Sequence, residues 1–300
     1  MEAGQGPNRN ESSSMLKLLV TGAAGLLGQR VVASARPTDQ VIALTRQDLD
    51  ISDAAAVFDC LAHYRPTVVI NCAAMTNVDA CETDRASAFR HNADGPRHLA
   101  RASLSAGAYF IHISTDYVFD GAQTSPYQTT DAPNPISVYG ESKLAGERAV
   151  QEVSPRFAVT RVAGLFGRGG KNFASVIGDL LTQPGIVKGI VDNRILPSYA
   201  DDVAAYLRCL AEARAGGIFH AVSAGEPCSW HDFAALARER LGERAQATLV
   251  GVTEAELRRP AKRPMSCVLA HSADASLGLP ALRDWREALV ESLNEWKTTR

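Results

Sequence analysis

The chain has 300 residues, 46% of them hydrophobic, with 31 Lys and Arg against 33 Asp and Glu, a formal net charge of −2. That balance gives no overall pull towards nucleic acid or an anionic membrane, and no apolar run reaches the roughly 18 residues of a membrane span. The length suffices for one large or two modest domains with a sizeable core.

In chain order, residues 1–14 are polar, rich in Gly, Asn and Ser, and lack the apolar core of a signal peptide. They read as a disordered leader, with Met15 as an alternative start. Runs 16–20, 41–44, 68–71, 109–114 and 158–162 read as buried strands. Between them, the Ala-rich stretches 54–63 and 86–106 show helical periodicity. Such alternation, with continuously apolar strands, implies an α/β fold: a Rossmann-like, doubly wound parallel sheet covered on both faces. The second half is less regular. Stretches 164–170 and 183–193 read as loops, and 229–241 and 282–296 as helices. The expected division is an NADP(H)-binding Rossmann domain over 15–163 and a smaller, loop-rich, mainly substrate-binding portion over 164–300, with segments returning to the sheet. The six cysteines (Cys60, Cys72, Cys81, Cys209, Cys228 and Cys267) show no Cys-x-x-Cys spacing. Neither a metal site nor a disulfide framework is expected, and a cytoplasmic protein fits best.

The first strand runs into Thr21-Gly22-Ala23-Ala24-Gly25-Leu26-Leu27-Gly28. Strand, glycine-rich turn and helix are the parts of a dinucleotide site: Gly22 permits the turn, Gly25 admits a pyrophosphate, and Gly28 lets helix pack on strand. After the second strand stand Thr45 and Arg46. A carboxylate there selects NAD, whereas a guanidinium pairs with a 2′-phosphate, so NADPH is expected, with NADH still open. Asp50, followed by Ile51, either accepts a hydrogen bond from adenine or caps the next helix. The third strand ends in small residues, Ala73 and Ala74 with Met75 and Thr76 beyond, which leave room for a flat cofactor. The fourth ends in Ser114-Thr115-Asp116-Tyr117. A Thr115 hydroxyl at this edge can hydrogen-bond a substrate carbonyl, whereas Ser114 reads as a strand-end cap. Tyr139 and Lys143, at i and i+4, share a helix face, so the ammonium is expected to lower the phenol pKa and make a proton donor.

The order Gly-x-x-Gly-x-x-Gly, Ser-Thr, Tyr-x-x-x-Lys resembles an extended short-chain dehydrogenase/reductase. The segments Val69-Ile70-Asn71-Cys72-Ala73-Ala74-Met75-Thr76-Asn77-Val78-Asp79 and Ser114-Thr115-Asp116-Tyr117-Val118-Phe119 narrow this. With Tyr139-Gly140-Glu141-Ser142-Lys143-Leu144-Ala145-Gly146-Glu147 and Pro260-Ala261-Lys262-Arg263-Pro264, they resemble the dTDP-4-dehydrorhamnose reductases from about residue 16 to 293. The resemblance implies hydride delivery from NADPH or NADH to the C4 ketone of dTDP-4-dehydro-L-rhamnose. It implies Tyr139 as proton donor, Lys143 on the nicotinamide ribose and Thr115 on the carbonyl. Asp116 and Tyr117 would meet the sugar. Gly25, Leu26, Leu27, Asp50, Ile51, Ala73, Ala74, Met75, Thr76 and Ile113 would meet the cofactor. Sugar-nucleotide 4,6-dehydratases place Asp-Glu after the threonine; here Tyr117 follows Asp116, which argues against elimination chemistry.

Two departures touch the sugar site. The family's Arg-Thr-x-Trp becomes Arg161-Val162-Ala163-Gly164, so Gly164 stands where a tryptophan would wall the substrate. Its Asp-Gln-x-Gly-Ser-Pro-Thr loop becomes Asp192-Asn193-Arg194-Ile195-Leu196-Pro197-Ser198. Isoleucine resists the backbone a glycine allows, so the loop should take another shape. Arg194 would bind a diphosphate or form an exposed salt bridge. These changes admit two alternatives: a non-catalytic regulatory subunit resembling the methionine adenosyltransferase β subunit, or another sugar-nucleotide reductase or epimerase. The expected partner is a nucleotide sugar, with no nucleic acid or membrane, and a homodimer is left open.

Overall fold

The protein is described by a computed structural model over residues 15–298; the leader expected over 1–14 lies outside the described residues. Strands β1 (Lys17–Thr21) and β3 (Val68–Asn71) are built from Leu, Val and Ile and are almost wholly buried. With β2 (Gln40–Leu44), β4 (Tyr109–Thr115), β5 (Ala158–Val162) and β9 (Gly217–His220) they form a parallel sheet in the order β2-β1-β3-β4-β5-β9. The chain winds outwards one way from β1 and the other way from β3. Between them the strand order reverses, opening a crevice at the carboxyl ends. Buried strands need helices on both faces. Here α1 (Leu26–Ala33) packs with α8 (Ala200–Ala213), and α2 (Ala54–Tyr64), α5 (Gly95–Ser105) and α6 (Val138–Val153) pack in a row. The Rossmann-like expectation therefore holds.

The helix expected over 86–106 is corrected. It is α4 (Arg85–Phe89), a π-turn at Arg90–Asp94, and then α5. The cause is Asn92, fully buried, whose side chain serves backbone outside its own helix: Oδ1 accepts from Met75 N at 2.8 Å, and Nδ2 donates to Met75 O at 3.0 Å. Pro96, lacking an N–H, then sits in the first turn of α5. The loop expected over 183–193 is also corrected: Ile186–Ile190 is a strand, β7, paired in parallel with β10 (Thr248–Val252). Within the loop expected over 164–170, Leu165–Phe166 forms a short strand, β6, against β8 (Ser198–Tyr199). With α7 (Ile177–Thr182), α9 (Trp230–Leu241) and α10 (Trp285–Thr298), these enclose a second core around Phe166, Tyr199, Phe233, Trp285 and Leu289. Ile195 and Leu196 of the altered loop are buried in that core, and Ile195 exchanges two backbone hydrogen bonds with Cys228. The loop thus takes a shape that needs no glycine there.

The C-terminal segment returns across the crevice. Arg263 donates both guanidinium nitrogens to Asp79 at 2.7 Å each, and Ala261 N donates to the same carboxylate at 3.0 Å. Asp79 lies in α3 (Val78–Thr83), beside the carboxyl end of β3. No helix among the described residues is long and apolar enough to cross a membrane.

Candidate active site

A cavity of about 860 Å³ opens at the strand reversal. Its floor is the turn between β1 and α1. Gly22 has φ +67°, and an added Cβ there would lie 2.6 Å from Ala73 N; one on Gly28 would lie 2.2 Å from Gly22 O. Backbone thus packs on backbone, and α1 begins at Gly25 with no side-chain cap and no acid in its first turn. Its positive end faces the cavity through Gly25, Leu26 and Leu27, the charge complement a pyrophosphate needs. The residues present therefore fit a dinucleotide.

At the tip of β2, Thr45 and Arg46 line the cavity. Asp48 does not; its carboxylate accepts from Thr45 N at 2.8 Å and from Thr45 Oγ1 at 2.7 Å. Arg46 is exposed on the wall, free to meet a phosphate. Asp50 and Ile51 complete this end. Asp50 accepts from Ser52 N and Oγ, and those bonds hold its carboxyl below the usual range. The cap of α2 is Asp53, not Asp50. His91 in the π-turn also lines this end, with Asp84 and Ser87; a reading based on motifs passes over all three.

Ala73, Ala74, Met75 and Thr76 form the next wall, and Ile113, Thr115, Asp116, Tyr117, Tyr139, Lys143 and Gly164 the far end. Tyr139 and Lys143 share the wall because Ser137 caps α6, accepting from Gly140 N at 3.2 Å. A Cβ on Gly140 would lie 2.2 Å from Tyr117 O, so only glycine lets the helix seat on the turn after β4. Tyr117 packs edge-on against Tyr139, with ring centroids 5.5 Å apart.

The electrostatics differ from the expected lysine–phenol pair. Lys143 Nζ donates to Ile113 O at 2.7 Å and lies 3.3 Å from His112 Nε2. Burial pushes its pKa down to about 8, against the pull of Glu147. The Tyr139 phenol is pushed up by desolvation, with the Thr115 hydroxyl pulling the other way. In this state Tyr139 is a held proton, not a phenolate. Asp116 is buried, and desolvation raises its carboxyl to about 7 although Thr115 Oγ1 donates to it at 2.9 Å. Ser114 Oγ is buried on the wall without a partner, so it is not the strand-end cap expected.

The two sugar-end positions differ in their relation to the cavity, which Gly164 lines and Arg194 does not. Arg194 is exposed and does not line the cavity; backbone bonds from Arg194 N to Met265 O and from Cys267 N to Arg194 O hold its backbone. At Gly164, φ is +50°, and an added Cβ would meet Trp230 Cη2 at 3.2 Å and Pro197 Cα at 3.3 Å. The indole of Trp230 fills the space a side chain at 164 would enter.

A family model described as RmlD substrate binding domain matches residues 16–298. A dTDP-4-dehydrorhamnose reductase of Streptomyces griseus is 42% identical, aligning 91% of this chain with 92% of that protein. A probable dTDP-4,6-dihydroxy-2-methyloxan-3-one 4-ketoreductase of Streptomyces antibioticus is 39% identical over 92% of this chain and 94% of its own. The crystal structure of dTDP-4-dehydrorhamnose reductase from Bacillus anthracis in complex with NADP superposes with a TM-score of 0.89 at 30% identity, covering 94% of this chain and 100% of that one. Glycine turn, Thr115, Tyr139 and Lys143 all fall within residues 16–298, the stretch the family model matches, and the chain belongs to the dTDP-4-dehydrorhamnose reductase family.

Proposed function

We propose that this protein reduces the C4 ketone of a dTDP-activated 4-dehydro sugar with NADPH, dTDP-4-dehydro-L-rhamnose being the foremost substrate. The observation that carries the reading is the convergence of Thr115, Tyr139 and Lys143 on one wall of the cavity whose floor is the glycine turn. The bound nicotinamide supplies the hydride. The chain supplies position and a proton. Thr115 Oγ1 orients the carbonyl, and Tyr139 gives its phenolic proton to the new alkoxide oxygen. Lys143 holds the nicotinamide ribose, and its ammonium favours the phenolate left behind. Gly22, Gly25, Leu26, Leu27 and Gly28 seat the pyrophosphate, Thr45 and Arg46 the 2′-phosphate, and Asp50 and Ile51 the adenosine. Ala73, Ala74, Met75, Thr76 and Ile113 flank the rest of the cofactor. Asp116 and Tyr117 meet the sugar, and Gly164 bounds it.

In this reading residues 15–163 hold the cofactor and 164–300 shape the sugar pocket. A cytoplasmic site of action is supported by six cysteines that are all free thiols. The reaction is tested by adding NADPH with dTDP-4-dehydrorhamnose, and separately with other dTDP-4-keto sugars, while following nicotinamide absorbance. Oxidation with the first sugar at the highest kcat/KM is expected. No oxidation with any of them overturns the reading.

A further inference from the structure

Behind the cavity wall, four buried polar side chains run from the glycine turn to the catalytic lysine. They are Thr21, Asn71, His112 and Lys143, each at most 2% exposed. A backbone donor sets the direction of this chain. Ala73 N donates to Asn71 Oδ1 at 3.1 Å, and Thr21 Oγ1 donates to the same oxygen at 2.7 Å. A hydroxyl can reverse its role, but a peptide N–H cannot. The amide oxygen of Asn71 must face Ala73, so its Nδ2 faces His112 Nδ1, 3.0 Å away. Nδ1 then accepts, and a neutral ring must carry its proton on Nε2. Desolvation, followed by the Lys143 charge, holds the ring neutral, well below its ordinary pKa.

Nε2 lies 3.3 Å from Lys143 Nζ. An N–H aimed at an ammonium is repulsive; aimed at the lone pair of a neutral amine, it is a hydrogen bond. The all-satisfied state is therefore an uncharged Lys143 that accepts from Nε2–H and donates to Ile113 O. We propose that His112, locked as the Nε2–H tautomer by Asn71 and the Ala73 N–H, is a positioning residue that favours the neutral amine and so sets the pH at which Lys143 gains its proton.

The other groups facing Lys143 do not supply this effect. Glu147, one turn along α6, pulls the opposite way, and its carboxylate is engaged by Arg161 at 2.9 and 2.7 Å. Cys72 at the end of β3 is a thiol pushed up to about 12 by burial, so it brings no charge. Tyr139 on the same helix holds its proton. Phe110, stacked on His112 at 6.5 Å, is apolar. Only the consequence for turnover rests on the proposed reductase role: a lysine poised between its two forms can take up and release the proton that each reduction consumes.

The test reads protonation directly, so failure of the reductase reading leaves it intact. In the full-length protein labelled with 15N-histidine, NMR should show His112 neutral and protonated on Nε2; an Nδ1–H signal overturns the proposal. Asn71→Asp replaces the donor with an acceptor, which reverses the tautomer and turns Nε2 towards the ammonium. The Lys143 titration, followed with 13C-lysine, should then rise by about one unit or more, roughly tenfold in proton affinity. In the His112→Phe background the added charge acts without the relay, so adding Asn71→Asp there should raise the Lys143 titration, measured from His112→Phe alone, by much less than it does in the unaltered protein. An equal rise on adding Asn71→Asp with and without His112, or no rise in a folded single variant, overturns the proposal. If Asn71→Asp does not fold, the tautomer of the unaltered protein decides.

Discussion

At Tyr139 and Lys143 the i, i+4 spacing placed two groups on one wall, but not in contact. The Lys143 nitrogen is tied to Ile113 O and faces His112 rather than the phenol. Tyr139→Phe should lower kcat by about a hundredfold or more while leaving NADPH affinity within a few-fold, read by turnover and by fluorescence titration. Arg46→Ala should weaken NADPH roughly tenfold and leave NADH nearly unchanged; equal losses for both remove the phosphate contact. Lys143 adds a stability prediction. Its folded pKa of about 8 lies below the ordinary 10.5, so the unfolded chain binds more protons between those values, and this group's contribution to stability rises with pH across that window. Lys143→Met, which deletes a buried ammonium, should abolish turnover yet stabilise the ligand-free protein by about 1–3 kcal/mol in urea unfolding. The spacing revealed the pair. It could not reveal its surroundings, because His112, Asn71 and Thr21 come from three different strands.

Elements built on local pattern were legible, and those built on distant pairing were not. β1 to β5 read directly from runs of Val, Ile and Leu. β9 did not: Gly217–His220 is a four-residue strand, and its partner β5 lies some way back along the chain. β7 was hidden by Pro184-Gly185 before it and Gly189 within it, and it becomes a strand only against β10. The π-turn was illegible for another reason: Asn92 bonds to Met75 and to Ser142 Oγ, contacts that no helical periodicity encodes. α6 rests on two close approaches, Gly140 on Tyr117 O and Gly146 on Asn92 O, where an added Cβ would lie at 2.2 and 2.1 Å. Gly140→Ala forces a methyl onto Tyr117 O and should cost about 1–3 kcal/mol and most of the turnover. Glu141→Ala, which removes only an exposed pair with Arg85, should change stability by less than about 0.5 kcal/mol. Urea midpoints of the two variants check the contrast.

Across the whole molecule, the Arg263–Asp79 pair ties the C-terminal segment to α3 over the crevice. The guanidinium beside it, foremost, holds the Asp79 carboxyl at about 2, so the pair's stability is present above the ordinary carboxylate pKa near 3.8 and is lost as pH falls towards 2. Asp79 is one-third exposed, so a double-mutant cycle with Arg263→Ala and Asp79→Ala should give only about 1 kcal/mol of coupling. The larger effect should be a several-fold rise in KM for the sugar. Gly164 and Trp230 show what such long-range assembly means for substitution. The indole of Trp230, from α9, lies against Gly164, where the backbone turns with φ +50°. Gly164→Trp alone should destabilise the protein, through the positive φ and the contacts with Trp230 and Pro197, whereas Gly164→Trp with Trp230→Ala should recover only the part of the loss due to the indole. Positions 164 and 230 are therefore free to vary only together, and a change at either one alone is felt as a packing fault before it is felt as a change of substrate.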